Sequence, residues 1–377
     1  MNKNERIRVM HVAQAAGGVA RYLDCLFKYM DNDKIENIFV SSYDFKEEEF
    51  RGIVDIFEQI DMQRSIGPKD LKSALAVRKL IKKYNPDIVY AHSSKAGAIA
   101  RLANMGIKNK AIYNPHGWAF NMRGSSKKQF VYKMLEKMMS PFSDKIVCIS
   151  NAERDSALNK GICSEKKLQV IFNGVDIEEC EKSKENIVTR AELNIPENAF
   201  VLGAVGRLTE QKSPDIFVQI AKLVKDTIPN AHFLMVGDGE MREDVEKFAR
   251  ENGMQDLIHI TGWVDNPLSY VELFDTAVLL SRWEGFGLAI PEYMLLQKPV
   301  VANAVDAVPN IVTDHVNGLL VPVDDPRSAF EAIMEIYNNT ELRNRLVTNG
   351  FKDVHERFDA RRVSAEHCAM FESLIKK

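Results

Sequence analysis

The stretch TAVLLSRWEGFGLAIPEYML, residues 276–295, joins an aliphatic run to a helical pattern through a glycine turn. The run TAVLLS has the length and content of a strand that is covered on both faces, as in a parallel sheet. Gly285 and Gly287 lie in the turn, and Glu284 and Glu292 flank it. A sequence that only built a core would continue with aliphatic residues, so we expect these residues to serve a site at the end of the strand.

The order of strand, turn and helix recurs on both sides of this stretch. Strand-like runs of the first half are IRVMHVA, NIFVSSY, DIVYAHS, KAIYNPH, KIVCIS and LQVIFN. Those of the second half are FVLGAVGRL, HFLMVGDGE, LIHITGW, TAVLLSR and PVVANA, and the chain is mostly helical from about Asp325 onward. Strands that alternate with helical crossovers predict an α/β fold of two doubly wound domains, joined by the polar stretch 178–199.

Length and composition fit a globular protein of two domains. The 377 residues exceed one ordinary domain, and 45% are hydrophobic. No run of about 18 apolar residues is present, and the charged start lacks the apolar centre of a signal peptide. The five cysteines form no CxxC pair, so they favour neither a disulfide framework nor a zinc site. We therefore expect a protein of the reducing cytoplasm.

Charge is divided unevenly along the chain. Residues 1–180 carry 29 basic and 22 acidic side chains, residues 181–377 carry 21 and 31, and residues 64–145 carry 17 and 4. Within that basic segment, DLKSALAVRKLIKKY and SSKKQFVYKMLEKMMSPF combine lysines with large apolar residues at helical spacing. This composition predicts helices that rest on an anionic membrane surface, although ordinary amphipathic helices are the alternative. No nucleic-acid-binding motif accompanies the charge, so nucleic acid is not expected as a partner.

Small, cationic or acidic residues follow most of the predicted strands. Because ligands of doubly wound sheets bind outside the carboxyl ends of the strands, we expect these residues to face one crevice. They are Gly17 and Gly18, Arg207 and Lys212, Gly237 and Gly239, Val264, and the stretch from Glu284 to Glu292.

Each of these groups has a chemical use if the ligand is a nucleotide diphosphate sugar. Arg207 and Lys212 would stabilise the negative charge that a diphosphate gains as its bond to the sugar breaks. Glycine turns let main-chain N–H groups approach oxygen atoms closely. Carboxylates repel phosphate, so Glu284 and Glu292 are expected to accept hydrogen bonds from sugar and ribose hydroxyls.

The motifs taken together resemble the retaining GT-B glycosyltransferases of family 4, also called group 1. The resemblance is carried by the spacing from Glu284 to Glu292, GRLTEQK at 206–212, NGVD at 173–176, the N-terminal GGVARYL, AHSSKAGAIARLA at 91–103 and NPHGWAF at 114–120. They cover nearly the whole chain in the expected order, so the set is specific although each motif alone is weak.

This resemblance implies two Rossmann-like domains that face each other across a cleft. Residues 1–180 would form the acceptor-binding domain and residues 181–356 the nucleotide-sugar donor domain. A C-terminal helix at about 357–377 would pack back on the first domain. The family also implies no cofactor and no metal, with the nucleotide-sugar donor as substrate.

The family's functional residues map onto this sequence one by one. By resemblance, Arg207 and Lys212 bind the donor diphosphate, Glu284 contacts the transferred sugar and Glu292 binds the ribose. His116 lies near the reaction centre, whereas we interpret His11 and His92 as structural. The substrate-binding set is completed by Gly17, Gly18, Gly237, Gly239, Val264, Gly285, Phe286 and Gly287. Pro291, before the second glutamate, departs from the commonest pattern but is tolerated in a helix's first turn.

The function expected from this resemblance is transfer of a sugar with retention from a nucleotide-sugar donor, which by family analogy is a UDP-sugar. The acceptor would be a polyprenyl-diphosphate-linked or other glycan in bacterial capsule or exopolysaccharide assembly, at the cytoplasmic face of the membrane. A UDP-sugar 2-epimerase of the same fold and a non-catalytic nucleotide-sugar-binding module are the alternatives. VGDGEMRE lacks the third glycine of a dinucleotide-binding motif, and Asp31-Asn32-Asp33 is more simply a turn than a metal motif.

Overall fold

The structure is a computed structural model that describes residues 6–63, 67, 69–122, 124–183 and 188–376. The chain divides into two compact units. The first consists of Met1–Gly174 together with Ala360–Lys377, and the second is Val175–Asp359. The sequence placed the boundaries at 180 and about 357. Arg64 and Arg123 of the basic segment lie outside the described residues.

The first unit is built on a parallel sheet. Its strands are β1 (Ile7–Ala13), β2 (Ile35–Ser41), β3 (Ile56–Gln59), β4 (Ile88–His92), β5 (Lys110–Asn114), β6 (Lys145–Cys148) and β7 (Leu168–Val170). They lie in the order β3-β2-β1-β4-β5-β6-β7. The chain thus builds outward from β1 to one side and then to the other, which is the doubly wound arrangement.

Helices cover both faces of this sheet, as parallel strands with helical crossovers require. They are α1 (Gly18–Lys28), α2 (Glu47–Phe50), α3 (Lys69–Tyr84), α4 (Ser94–Asn104), α5 (Ser126–Met139), α6 (Asn151–Asn159) and, from the C-terminus, α15 (Ala360–Ile375). The last helix packs against α1: Ser364 Oγ donates to the Leu26 carbonyl at 2.8 Å, and Phe371 is fully buried in the same core.

The second unit repeats this plan. Its strands are β8 (Phe200–Val205), β9 (Ala231–Val236), β10 (Ile258–Ile260), β11 (Thr276–Leu279), β12 (Val300–Asn303) and β13 (Leu319–Val321), in the order β10-β9-β8-β11-β12-β13. Its helices are α7 (Ile177–Ser183), α8 (Pro214–Thr227), α9 (Arg242–Glu251), α10 (Leu268–Val271), α11 (Ala289–Leu295), α12 (Val308–Ile311), α13 (Pro326–Asn338) and α14 (Thr340–Arg357). The predicted fold of two doubly wound domains is confirmed.

The sequence did not predict strands β3 and β13 or helix α7. Strand β3 is four residues long with every residue half-buried, and β13 has three residues. Runs this short carry too little periodicity to stand out from loops. The polar stretch 178–199 is not a plain linker, because it begins within α7. Within the described part of the chain, no helix is both long and apolar enough to cross a membrane.

Gly203 in β8 generates a test of the second unit's packing. A Cβ built on Gly203 would come within 2.2 Å of the buried Phe274 ring, so an added methyl group must displace that ring. We expect Gly203→Ala to lower the free energy of unfolding by about 1–3 kcal/mol, measured by urea denaturation. Gly124→Ala is the control, because its Cβ would meet nothing within 4 Å. Equal stability of the two variants would contradict the close packing.

Candidate functional site

A pocket in the second unit lies at the carboxyl ends of β8, β9 and β11. Both candidate cations, Arg207 and Lys212, line it. The other lining residues are Ala204, Val205, Gly206, Leu208, Pro214, Phe217, Met235, Val278, Leu279 and Leu280. The strand ends therefore supply an apolar floor, and the loop after β8 supplies the charge.

Lys212 and Glu284 form an ion pair beside this pocket. Lys212 Nζ lies 2.6 Å from Glu284 Oε2, and the same oxygen accepts a hydrogen bond from Ser281 Oγ at 3.0 Å. The main-chain N–H of Glu284 donates to Asp306 Oδ2 at 2.8 Å. The second carboxylate oxygen, Glu284 Oε1, makes no hydrogen bond with any residue described in the structure. The sequence assigned these two side chains to separate ligand groups, and the structure brings them into contact.

Arg282 connects the loop after β11 to the loop after β8 and to the start of α8. The sequence did not predict this role. Its guanidinium binds the Asp215 carboxylate through two hydrogen bonds of 2.6 and 3.1 Å, and its Nε donates to Asp324 Oδ1 at 2.6 Å. Its main-chain N–H donates to the Gln211 carbonyl, next to Lys212. A planar guanidinium can make all of these contacts at once. An arginine directly before Trp283 was visible in the sequence, but its partner Asp215 lies 67 residues away.

Arg207 and Glu292 occupy opposite environments. Arg207 is exposed, and its guanidinium makes no ion pair with any residue in the described ranges. Glu292 is only 4% exposed and lies in α11. Its neighbour Tyr293 accepts a hydrogen bond from the Val205 N–H at 2.7 Å, which holds α11 against the end of β8.

The glycines after β9 are required by the neighbouring loop. A Cβ on Gly237 would lie 2.2 Å from the Gly206 carbonyl oxygen, and one on Gly239 would lie 2.4 Å from the Leu208 carbonyl oxygen. Any larger residue would separate the two loops, so packing alone accounts for both glycines. Gly287 has φ +94°, in the region that favours glycine.

The remaining predicted contacts of the second unit differ in exposure. The Phe286 side chain is buried and packs edge-on against Phe358, with ring centroids 5.8 Å apart, so its main chain is the part left for a ligand. Gly285 lies in the turn before it. Val264 is half-buried in the loop after β10, next to Trp263, which is 71% exposed.

In the first unit, Gly17 and Gly18 lie at the start of α1. Both are exposed, and a Cβ on either would meet nothing within 4 Å. Gly17 has φ +78° and is the N-cap of the helix. The helix N-terminus at this end of β1 is thus open to solvent.

His116 follows β5 in an unusual main-chain conformation. Its φ is +51°, and its N–H donates to Asn114 Oδ1 at 2.9 Å. The next N–H, of Gly117, donates to Glu153 Oε1 at 2.7 Å, and Ile149 N–H donates to the other oxygen at 2.7 Å. Burial raises the pKa of Glu153 to about 7, against these two donors, which favour its charged form. Glu153, which the sequence reasoning missed, therefore holds the loop that carries His116.

Three histidines of the first unit are connected: His11 and His92 are fully buried, and His116 is half-buried beside them. His116 Nε2 lies 3.1 Å from His92 Nδ1, and His92 Nε2 lies 3.1 Å from His11 Nδ1. Burial is the largest effect on each ring: it lowers the pKa of His11 and of His116 to about 3, and that of His92 well below its usual value. All three imidazoles are therefore neutral at pH 7. Their alignment was predictable only from the strand order, since β1, β4 and β5 are neighbours.

The described residues contain no group of three or more His, Cys, Asp or Glu side chains arranged to hold a metal ion. The charged groups of the second unit suit a different ligand. Two cations and a carboxylate with an unused oxygen can bind an anion on one side and a hydroxyl group on the other.

Comparisons with known proteins agree with this chemistry. Residues 16–179 match the family model described as glycosyltransferase family 4, and residues 185–353 match the model described as glycosyl transferases group 1. An Escherichia coli relative, UDP-Gal:alpha-D-GlcNAc-diphosphoundecaprenol alpha-1,3-galactosyltransferase, is 30% identical over 303 residues, which cover 76% of this chain and 77% of that protein. CapM of Staphylococcus aureus, a capsular polysaccharide biosynthesis glycosyltransferase, is 26% identical over 334 residues, 86% of each protein.

Among solved structures, Anabaena HepE in complex with UDP and glucose superposes with a TM-score of 0.83 at 20% identity, over 98% of this chain and 100% of that one. At this identity the likeness shows a shared fold. Together with the relative that is 30% identical and the two family matches, it identifies the chain as a member of the group 1, family 4 glycosyltransferases with the GT-B fold.

Proposed function

We propose that this protein transfers a sugar, with retention of configuration, from a UDP-sugar to a lipid-linked glycan acceptor. The proposal rests on one observation above all. Arg207 and Lys212 line the pocket at the ends of β8, β9 and β11, and Lys212 forms an ion pair with Glu284 beside it. These groups match the two halves of a sugar diphosphate.

The charges of the pocket support the assignment of the diphosphate. Arg207 has no carboxylate partner among the described residues, so an incoming phosphate meets an uncompensated cation. Lys212 already contacts Glu284, and a diphosphate beside it would share the ammonium group. Cations that are in place before reaction stabilise the charge of the leaving diphosphate without reorganisation.

Glu284 supports the assignment of the sugar. Its Oε2 is occupied by Lys212 and Ser281, and its Oε1 is available to accept a hydrogen bond from a sugar hydroxyl. Glu292, buried in α11, is proposed to bind the ribose. Carboxylates at both positions can accept hydrogen bonds from hydroxyl groups, whereas they would repel phosphate. The neighbouring cations are the groups that bind phosphate.

The proposed reaction requires no metal and no cofactor. The bond from the sugar's anomeric carbon to the diphosphate oxygen breaks, and both electrons leave with UDP. An acceptor hydroxyl attacks from the same face, and its proton passes to an oxygen of the leaving diphosphate. Arg207 and Lys212 hold the leaving group, and Glu284 holds the sugar. We assign His116 of the first unit to the reaction centre and Gly17 and Gly18 to the phosphates.

The names of the relatives support the proposed donor and acceptor. The name of the E. coli relative gives a UDP-galactose donor and a GlcNAc-diphosphoundecaprenol acceptor, and the HepE structure contains UDP and glucose. We propose a UDP-sugar and a polyprenyl-diphosphate-linked saccharide for this chain, in the cytoplasm at the inner face of the membrane. CapM places one relative in capsule biosynthesis, which is the proposed pathway class here.

A panel of UDP-sugars, with and without a polyprenyl-diphosphate-linked saccharide, tests this proposal. The expected products are free UDP and an acceptor heavier by one sugar, both identified by mass spectrometry, and NMR should show the donor's α configuration in the new bond. An isomerised UDP-sugar of unchanged mass, detected by NMR in the absence of acceptor, would identify an epimerase instead. Binding without turnover of any donor would leave a non-catalytic binding module.

Loss of either cation should reduce turnover. We expect Arg207→Ala and Lys212→Ala each to lower kcat by about a hundredfold, because each removes a group that stabilises charge developed in the transition state. Steady-state kinetics with the best donor of the panel measure the effect.

Lys222→Ala is the matched control, because that exposed lysine of α8 pairs only with Asn252 among the described contacts. Full activity of both folded cation variants would remove Arg207 and Lys212 from the mechanism.

Glu292→Gln should weaken binding of UDP itself, since the proposed ribose contact exists both before and during the reaction.

A surface for the membrane is proposed on α5. Five of its large apolar residues face solvent, with Phe130 and Met138 exposed by 62% and 64%, whereas Tyr132 and Met139 are half-buried. The residue that α5 buries is Glu136, which binds Arg101 Nη2 at 3.1 Å and accepts a hydrogen bond from Tyr113 at 2.7 Å. A buried ion pair thus fixes which side of α5 faces the core. We call the outward side the α5 surface; its residues are Phe130, Val131, Met134, Leu135 and Met138.

Lysines border the α5 surface on both sides. At 100° per residue, Lys128 lies at one edge of the apolar stripe and Lys133 and Lys137 lie at the other. Lysine stems can lie along apolar surface while their ammonium groups reach anionic headgroups. Helix α3 exposes fewer large apolar residues, Leu71 and Leu75, and buries Ala74, Val77 and Ile81 as an ordinary amphipathic helix does. The membrane proposal therefore rests on α5.

Binding to vesicles tests the α5 surface. Cosedimentation should require anionic phosphatidylglycerol and weaken as salt rises, because charges are screened over about 10 Å at 0.1 M. Phe130→Ser and Met138→Ser should each lower the partition coefficient about tenfold, in proportion to lost apolar burial. Lys133→Gln with Lys137→Gln should remove most of the salt dependence.

Controls for this test lie elsewhere on the surface. Tyr43→Ser removes an aromatic ring that is 70% exposed, and Lys247→Gln removes an exposed charge of the second unit. Neither should change vesicle binding. Equal binding to neutral and anionic vesicles, or to the α5 variants and the native protein, would leave α5 as an ordinary solvated helix.

A further inference from the structure

The chain of His11, His92 and His116 has a chemical property that none of the three rings has alone. A neutral imidazole carries one proton on two nitrogens, so it donates through one nitrogen and accepts through the other. His92 uses both nitrogens within the chain. Whichever neighbour it donates to, the other neighbour must donate to it.

We infer that His92 and His11 are positioning residues for His116, and that the chain determines which nitrogen of His116 carries its proton. Two arrangements satisfy the distances. In one, all three rings are protonated on Nδ1, and His92 donates to His116. In the other, all three are protonated on Nε2, and His116 donates to His92. If one ring had a different tautomer from its neighbour, two N–H donors or two nitrogen lone pairs would face each other.

The buried surroundings keep the rings neutral and exclude competing partners. His11 and His92 are fully buried. His11 Nε2, at the far end, makes no hydrogen bond within the described residues, and neither do the two polar atoms of the buried Asn37 side chain. Burial lowers the His11 pKa, and the Asn37 side chain opposes that shift. An amide can donate or accept, so Asn37 can complete either arrangement. The orientation of the Asn37 amide, at the other end of the three rings, would then determine whether His116 Nδ1 carries a proton. Nδ1 is the His116 nitrogen that does not bond to His92.

A second buried network holds the main chain of His116. Asn114 Oδ1 accepts the His116 N–H at 2.9 Å. Burial raises the pKa of the Tyr22 and Tyr90 hydroxyls, and the Asn114 side chain opposes this rise at both. Tyr22 O–H lies 2.9 Å from His367 Nε2. Side chain and main chain of His116 are thus fixed independently, as a precisely oriented polar group requires.

His367 provides an internal reference for a test. Its Nδ1 lies 2.8 Å from the Val363 carbonyl oxygen, which can only accept, so His367 must be protonated on Nδ1. Selective ¹⁵N labelling of the eight histidines distinguishes the two tautomers by two-bond ¹H–¹⁵N correlations. We expect His11, His92 and His116 to share one tautomer at pH 7. Different tautomers among these three rings would overturn the inference.

Substitution at the far end tests the coupling itself. His11→Phe removes the hydrogen-bonding nitrogens of a ring with no direct hydrogen bond to His116. We expect a second tautomer of His116 to appear at roughly a tenth or more of the population. The reason is that the free-energy difference between the two tautomers falls by about the contribution of one buried hydrogen bond. His11→Asn keeps a polar group at the Nδ1 position and should restore the single tautomer, and it also serves if His11→Phe does not fold.

His259→Phe is the matched control, because it breaks another imidazole pair, His232 Nδ1 to His259 Nε2 at 2.9 Å, in the second unit. It should leave the tautomers of the first unit unchanged. A His116 spectrum that is the same in His11→Phe and the native protein would show that the chain does not position His116.

The kinetic consequence rests on the proposed transferase function. His11→Phe should lower kcat about threefold to tenfold while the affinity for UDP stays the same, and His11→Asn should recover most of the loss. The tautomer measurement needs no turnover. Absent activity in the native protein would therefore contradict the proposed function alone, and a failed tautomer test would contradict the positioning role alone.

Discussion

Parallel pairing of strands is the constraint on which both candidate sites depend. Every carboxyl end of a parallel sheet lies at the same edge, so residues that are far apart in sequence become neighbours once the strand order is set. In the first unit this places His11, His92 and His116 in one line, because β1, β4 and β5 are adjacent. In the second unit it places the loop of Lys212 beside that of Glu284, after β8 and β11.

The sequence predicted the architecture well, because continuous apolar strands and helical periods are local signals. It also selected Arg207, Lys212, Glu284 and His116 by motif. What it could not give were the partners that hold these side chains and their neighbours in place. The bond from Arg282 to Asp215 and the partnership of His92 with His116 depend on packing across many residues. The short β3 and β13 were missed because strands of three or four residues carry almost no periodic signal.

Charge compensation gives the second unit a polar site that is stable without ligand. Lys212 and Arg282 each have carboxylate partners, so the loops keep their form when nothing is bound. Arg207, by contrast, is exposed and makes no ion pair with any residue that the structure describes. A cation of this kind on a loop that other ion pairs hold would need little ordering to contact an anion.

The return of α15 to the first unit has a consequence for synthesis on the ribosome. Phe371 and Leu374 complete a core that includes Val9, yet they are translated only after the whole second unit. The second unit, by contrast, is continuous from Val175 to Asp359 and can close as soon as it has emerged. The first unit therefore cannot complete its core until the second unit and α15 have been translated, and until then the apolar surface that α15 covers stays exposed.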